Sequence, residues 1–203
     1  MNEHSGPIVA SHNGIDVMDC TACGWRHVWP LPDAAAVEMY YSADKLYSEH
    51  AAPDWLAYLE SQSAYWSLVY ADYLDTLATY ANKPLNEPLT LLDVGCGSGA
   101  LLEAARIRGW QGTGIEPSRQ ARVLCDKKGI PTVPSLADVG SAQFDAAAML
   151  LVLEHVLDPL AMLRTMRERL VDGGVILAVV PNDFSPLQDV ARKVCNCPAW
   201  WVC

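Results

Sequence analysis

The segment Leu91-Leu92-Asp93-Val94-Gly95-Cys96-Gly97-Ser98-Gly99 places a short apolar run directly before three closely spaced glycines. This pattern is typical of a buried β-strand that ends in a glycine-rich turn and then enters a helix. Glycine permits left-handed backbone angles and lets a ligand approach the main chain closely. Open α/β sheets bind ligands at the carboxyl ends of their strands, where helix N-termini offer free N–H groups, so we predict a cofactor site here.

Short apolar strands alternate with helices on the C-terminal side of this turn. Strands are predicted at 90–94, 112–115, 132–133, 144–150 and 175–180, and helices at 100–108, 118–128 and 160–170. Another helix is predicted to begin near Ser185. Strands that alternate with helices predict an α/β fold with a doubly wound, Rossmann-like parallel sheet.

Two cofactors could use such a loop. Dinucleotide sites have the spacing Gly-x-Gly-x-x-Gly, whereas here Ala100 occupies the position of the third glycine. The Asp93 carboxylate would repel a pyrophosphate but can pair with the ammonium group of S-adenosylmethionine, which carries no phosphate. Glu116, at the end of the second predicted strand, can accept both ribose hydroxyls of either cofactor. The combination favours S-adenosylmethionine over NAD.

These residues resemble the first motif and the following acidic motif of class I S-adenosylmethionine-dependent methyltransferases. Residues 144–159, 170–175 and 180–182 resemble later motifs of the type 11/type 23 group, so the similarity extends from Leu91 to Asn182. The resemblance implies the strand order 3-2-1-4-5. The family's sheet normally gains two further strands, 6 and 7, and we expect these to be missing from this chain, which looks like a fragment.

The resemblance also implies roles for individual residues. The glycine loop would line the methionine part of the cofactor, Glu116 would hold the ribose, and residues near Leu136 and 149–150 would flank the adenine and the sulfonium. The predicted cofactor-binding residues are Asp93, Gly95, Cys96, Gly97, Gly99, Glu116, Pro117, Leu136, Met149 and Leu150. His155 is the candidate catalytic base, although His155 and Glu154 could instead simply open the next helix. Cys96 is interpreted as a packing residue rather than a nucleophile.

Five potential metal ligands occur within the first part of the chain: Cys20, Cys23, His4, His12 and His27. Zinc needs about four nitrogen or sulfur ligands, and a region with little apolar core gains stability from a metal. The segment around Cys20-x-x-Cys23-Gly24 resembles the zinc-ribbon-like lead-in of some methyltransferases, with histidines in place of a second cysteine pair. We predict Zn²⁺ bound by Cys20, Cys23, His4 and either His12 or His27; the alternative is two free thiols in a turn.

The chain is expected to have three parts: a knuckle and turn region at 1–50, an amphipathic helical segment at 51–83, and the methyltransferase domain at 84–203. A short helix is predicted from Asp33 to about Tyr41. In the second part, Asp54 is the predicted N-cap of a long helix. One face of this helix is mostly apolar and aromatic, with residues at steps of three or four: Trp55, Leu59, Gln62, Trp66, Val69, Tyr73, Leu77 and Tyr80. Residues 83–88 have the composition of a linker.

Composition narrows the function classes. The formal charge is −10, and the few basic residues of the helices are scattered, which disfavours a nucleic-acid partner. No apolar run is long enough to cross a membrane. Seven cysteines without a secretion signal are typical of a cytoplasmic protein. We therefore predict a small-molecule acceptor; an NAD(P)-dependent oxidoreductase and a non-catalytic interaction module remain the alternatives.

Overall fold

A computed structural model describes residues 4–12, 14–42, 61–81, 83–84, 87–182 and 184–195. The chain divides into two compact units, residues 1–38 with 181–203, and residues 39–180. The strands are β1 (Ile8–His12), β2 (Ile15–Asp19), β3 (Arg26–Trp29), β4 (Thr90–Val94), β5 (Gln111–Ile115), β6 (Thr132–Val133), β7 (Phe144–Leu150) and β8 (Leu170–Val179). The helices are α1 (Ala34–Ser42), α2 (Ser63–Tyr80), α3 (Ala100–Ile107), α4 (Arg119–Lys127), α5 (Pro159–Glu168) and α6 (Pro186–Cys195).

The smaller unit contains an antiparallel sheet with the order β1-β2-β3. The first two strands form a hairpin in which His12 pairs with Ile15, and Val17 of β2 pairs with Val28 of β3. No strand was predicted in this region, because the strands are short and β1 is largely exposed. In the sequence, the dipeptide Asn-Gly at 13–14 is typical of two-residue hairpin connections, and it is the signal that could have revealed the sheet.

The larger unit contains a parallel sheet with the order β6-β5-β4-β7-β8. Counted from β4 as the first strand, this is the predicted order 3-2-1-4-5, and the bounds of β4, β6 and β7 match the prediction. The strand that ends in the glycine loop therefore lies at the centre of the sheet, with its carboxyl end beside those of β5 and β7. This placement brings the predicted site residues to one edge of the sheet.

Apolar residues cover both faces of this sheet. Leu91 belongs to one buried cluster and Leu92 to the other, as expected for side chains that alternate across a strand. Leu74 and Leu77 of α2 pack into the first cluster. The prediction that Tyr80 shares this apolar face is wrong: it is the last residue of α2, and 73% of its surface is exposed. Asp54, Trp55 and Leu59 lie outside the described residues.

Strand β8 is longer than predicted. It begins at Leu170 rather than at 175, and its register with β7 shifts between the pairs Phe144–Leu170 and Ala146–Val175. The segment 170–175, which resembles the family's motif before the last strand, therefore lies within β8 and contains the register shift. Helix α6 lies where a helix after Ser185 was predicted. None of the helices in the described ranges is both long and apolar enough to cross a membrane.

Candidate cofactor site and metal-ligand cluster

The glycine loop depends on left-handed backbone angles. The φ angles are +73° at Gly95, +52° at Gly97 and +80° at Gly99. The backbone N–H groups of Gly95 and Cys96 both donate to the Ile115 carbonyl oxygen, at 2.7 and 3.1 Å, which holds the turn against the end of β5. A Cβ at position 95 would lie 2.4 Å from a methyl group of Val152. The positive φ angle and the lack of room beside Val152 therefore both require glycine at position 95.

Glu116 connects the glycine loop to the next strand end. Its carboxylate accepts hydrogen bonds from the backbone N–H of Gly97 at 3.0 Å and of Ser118 at 2.8 Å. Its own N–H donates to the Val133 carbonyl oxygen, and only 5% of the residue is exposed. The acidic residue that was predicted to hold the ribose is thus fixed directly beside the loop.

Asp93 is a buried acid with an unusual environment. It is 3% exposed, and within the part of the chain that the structure describes its carboxylate makes no hydrogen bond or ion pair. Burial, together with the negative charge of Glu116, raises the pKa of Asp93 to about 7. A buried acceptor without a partner is costly, so this carboxylate is a site where a cationic ligand group would be stabilised.

Two thiols lie beneath the loop. The Cys125 thiol donates to the Gly97 carbonyl oxygen at 3.3 Å, and the Cys96 thiol lies 3.8 Å from the same oxygen. The neighbouring Cys125 thiol and burial raise the pKa of Cys96, as does the nearby Asp93 carboxylate. A protonated, buried thiol is a weak nucleophile, which agrees with the interpretation of Cys96 as a packing residue.

The remaining predicted cofactor residues differ in accessibility. Pro117, Leu136 and Leu150 are half-buried, and each follows or ends a strand at the edge where the glycine loop lies. Met149 has no exposed surface and belongs to the second apolar cluster. Strand β7 is covered on both faces, so the Met149 side chain contributes to the core, and its expected contact with the cofactor stays a prediction.

His155 lies at the carboxyl end of β7, in a short 3₁₀ turn formed by Leu153–His155. Its side chain is 52% exposed, and its Nε2 lies 4.0 Å from a carboxylate oxygen of Glu154. The ring centroid of Tyr41 is 6.0 Å from that of His155. Leu151, just after β7, has a φ of +56°, which is strained for a residue with a side chain.

Sequence reasoning did not find Tyr41, Tyr70 or Leu151. Tyr70 lies in α2, and burial together with the nearby Asp93 carboxylate raises its pKa to about 12. It stacks on Trp66, one helical turn earlier, with ring centroids 5.8 Å apart. The four-residue step from Trp66 was the available signal for Tyr70, whereas Tyr41 approaches His155 only through the tertiary fold.

Four of the five predicted metal ligands come together in the smaller unit. One ligand atom from each of His4, Cys20, Cys23 and His27 lies within 4.8 Å of the others. His12 is not part of this cluster, so its place among the predicted ligands is corrected. His12 pairs with Ile15 at the far end of the hairpin from Cys20, about 16 Å away along an extended strand.

The fold and the loop define a Rossmann-like α/β protein with a glycine-rich loop at the carboxyl edge of its parallel sheet. The profile of a family described as a methyltransferase domain matches residues 65–201, which is more than half of the chain. The chain belongs to this family.

Curated relatives include proteins named ubiquinone biosynthesis O-methyltransferase. The relative from Idiomarina loihiensis is 35% identical over 96 residues, covering 42% of this chain and 40% of the relative. The relative from Pseudomonas paraeruginosa is 34% identical over 121 residues, covering 55% of this chain and 50% of the relative. The chain therefore spans about half the length of the curated relatives it matches.

Among solved structures, Streptomyces venezuelae DesVI matches 64% of this chain and 58% of its own, with 23% identity and a TM-score of 0.48. The plantazolicin methyltransferase BpumL, solved with SAH, matches 68% of this chain and 56% of its own. Its identity is 20% and its TM-score 0.46.

Proposed function

We propose that this chain is an S-adenosylmethionine-dependent methyltransferase that acts on a small-molecule acceptor. The observation that carries the proposal is the buried Asp93 carboxylate, which has no hydrogen-bond partner among the described residues and lies beside a glycine loop. Burial, together with the negative charge of Glu116, raises the pKa of Asp93 to about 7. The ammonium group of the cofactor's methionine part would supply that partner.

The residues present fit this cofactor better than a dinucleotide. Asp93 and Glu116 are close enough for their negative charges to interact, and both are almost fully buried. A pyrophosphate placed at this loop would face two buried carboxylates at low dielectric, where repulsion is strong. A cationic ligand without phosphate would instead be attracted by both.

When bound, S-adenosylmethionine supplies an electrophilic methyl group on a sulfonium. Asp93 would pair with the ammonium, and Glu116 would accept the ribose hydroxyls while its contact with Gly97 N–H keeps the loop in place. Leu136 and Leu150 would provide apolar contacts for the adenine and the sulfonium. The contribution of the protein is then mainly orientation of the two reactants.

His155 would take the proton from an acceptor that carries one. It is half exposed at the strand end where the acceptor would enter, and imidazole is the side chain that most often serves as a general base. Because the curated relatives are named O-methyltransferases, a small molecule with a hydroxyl group is the first acceptor class to test.

A small acceptor in the cytoplasm also agrees with the charge and the cysteines. The net charge of −10 disfavours nucleic acid as the acceptor. The cysteines whose side chains are described, Cys20, Cys23, Cys96 and Cys125, are all free thiols, as expected for a reducing compartment.

Calorimetric titration with S-adenosylhomocysteine, and separately with NAD, tests the proposal. We expect binding of S-adenosylhomocysteine in the micromolar range, no binding of NAD, and a loss of affinity of about 100-fold or more in Asp93→Asn. Asp126→Asn changes an exposed carboxylate on α4 and is the charge-matched control, with affinity unchanged. Binding of NAD, or unchanged affinity in Asp93→Asn, would contradict the proposal.

A further inference from the structure

The cluster formed by His4, Cys20, Cys23 and His27 has the composition of a tetrahedral metal site. The four ligand atoms lie within 4.8 Å of one another, whereas bound zinc would bring them to about 3.3–3.8 Å apart. A modest contraction would therefore be enough to close the site around an ion. Two thiolates and two imidazoles favour zinc over calcium or magnesium, which prefer oxygen.

His27 is held in the form that binds a metal. Its Nδ1 lies 2.8 Å from the Val28 carbonyl oxygen, which can only accept, so Nδ1 must carry the proton of the neutral ring. The other nitrogen, Nε2, is buried and has no hydrogen-bond partner among the described residues. A buried lone pair without a donor is costly. The hydrogen bond from Nδ1 is also the support that metal-bound histidines commonly have.

The backbone brings the other three ligands to the same point. Cys20 directly follows β2, and its N–H donates to the Trp25 carbonyl oxygen at 3.0 Å. The Gly24 N–H donates to the Cys20 carbonyl oxygen at 2.9 Å, with a φ of +77° at Gly24. This tight turn places Cys23 near Cys20, and the His4 Nδ1 lies 3.4 Å from the Cys20 sulfur.

The segment that carries His4 is fixed against the end of β2. The Thr21 N–H and hydroxyl both donate to the Ser5 carbonyl oxygen, at 2.8 and 2.9 Å. A Cβ at Gly6 would lie 2.0 Å from the Asp19 carbonyl oxygen, so only glycine allows this approach. Four ligands from two separated segments of the smaller unit therefore converge.

We propose that His4, Cys20, Cys23 and His27 bind one Zn²⁺ ion in a structural site. Four protein ligands leave no open position for a water or substrate, which distinguishes structural from catalytic zinc. The ion cross-links the segment before β1 to the β2–β3 turn and to β3. This site is independent of the proposed methyl transfer, so either proposal can fail without the other.

The test is the metal content of the full chain, purified without added metal or chelator. We expect about one zinc per chain in the wild type and in His12→Ala, and less than about 0.1 in Cys23→Ser and His27→Ala. His12→Ala is the matched control because His12 is an exposed histidine of the same sheet that lies outside the cluster. Cys23 is itself exposed, so serine at this position introduces no packing defect.

Cobalt substitution checks the geometry. The wild-type zinc protein exchanged into Co²⁺ should show the visible bands of a tetrahedral ion and a thiolate charge-transfer band, and Cys23→Ser treated in the same way should show neither. Far-UV circular dichroism of each variant establishes that the chain is still folded. A wild-type chain that is purified without bound metal would overturn the proposal, as would a Cys20–Cys23 disulfide that persists in the presence of a reductant. Equal zinc loss in His12→Ala and His27→Ala would also overturn it.

Discussion

The cofactor edge of the larger unit and the metal-ligand cluster of the smaller unit are built in different ways. The first takes residues from the ends of β4, β5 and β7, which are far apart in sequence and buried on both faces. The second takes its residues from positions 4–27, where Val17, Met18 and Cys20 are the buried apolar residues among those described. A large core can position an unpaired carboxylate by packing alone, whereas a small sheet needs a cross-link.

The largest effect is expected from removing the metal. With zinc chelated, the amide of Thr21, which bonds to Ser5, should exchange with solvent more than about 100-fold faster, since the ion holds both segments together. The amide of Leu92 in β4 should keep its protection. Hydrogen exchange with peptide resolution measures both. Unchanged protection at Thr21 would contradict the claim that the small sheet depends on the ion, because the sheet would then be stable without it.

A smaller effect is expected from adding one methyl group to the glycine loop. Gly95→Ala introduces strain at a φ of +73° and a clash with Val152, so we expect a loss of about 2–4 kcal/mol of unfolding free energy. Gly109→Ala is the matched control: its φ is +79°, but no atom lies within 4 Å of the added carbon. It should cost about 1 kcal/mol, from backbone strain alone.

Urea unfolding of both glycine variants, followed by circular dichroism, gives the two values. Equal losses would mean that the space beside Val152 is not tightly filled. In that case the glycine loop would be set by backbone angles only, and the packing argument for the cofactor edge would fail.

The smallest effect is expected at Asp145, a second buried aspartate of the same sheet. Burial alone would raise the pKa of Asp145, but Lys83 at 2.8 Å and two hydrogen bonds from Thr90 lower it. Its folded-state pKa lies below the unfolded value. The stabilisation is therefore complete above pH 4 and is lost as the pH falls through the folded pKa. Asp145→Asn should cost about 1–2 kcal/mol at pH 7.

Urea midpoints measured between pH 3 and pH 7 check this prediction. The difference between wild type and Asp145→Asn should shrink as the pH falls. A constant difference would show that the ion pair with Lys83 adds little to the neutral hydrogen bonds. The expected sign at Asp93 is the opposite one. Because the pKa of Asp93 is raised, the wild type should lose stability relative to Asp93→Asn as the pH rises.

The sequence located the strand ends that carry Asp93 and Glu116 more precisely than the metal-ligand cluster. Glycines at fixed spacing after an apolar strand have few structural meanings, so the strand ends that carry Asp93 and Glu116 could be placed from the pattern alone. The choice between His12 and His27 could not be made in this way, because it depends on the register of a hairpin that was not predicted. Tyr41 and the strained Leu151 likewise depend on tertiary packing and leave no periodic signal.

The central claim is that Asp93 is kept buried without a partner because the cofactor supplies one. The most direct test compares the melting temperatures of wild type and Asp93→Asn at pH 8, with and without S-adenosylhomocysteine. A raised folded-state pKa means that stability falls as the pH rises from about 4 to 7, so the neutral variant alone should melt several degrees higher. Ligand at about 100 times its Kd should raise the wild-type value by roughly 5–10 °C. The same concentration of S-adenosylhomocysteine should leave the melting temperature of Asp93→Asn unchanged. A variant that is less stable than wild type without ligand, or that gains as much from the ligand, would contradict the account.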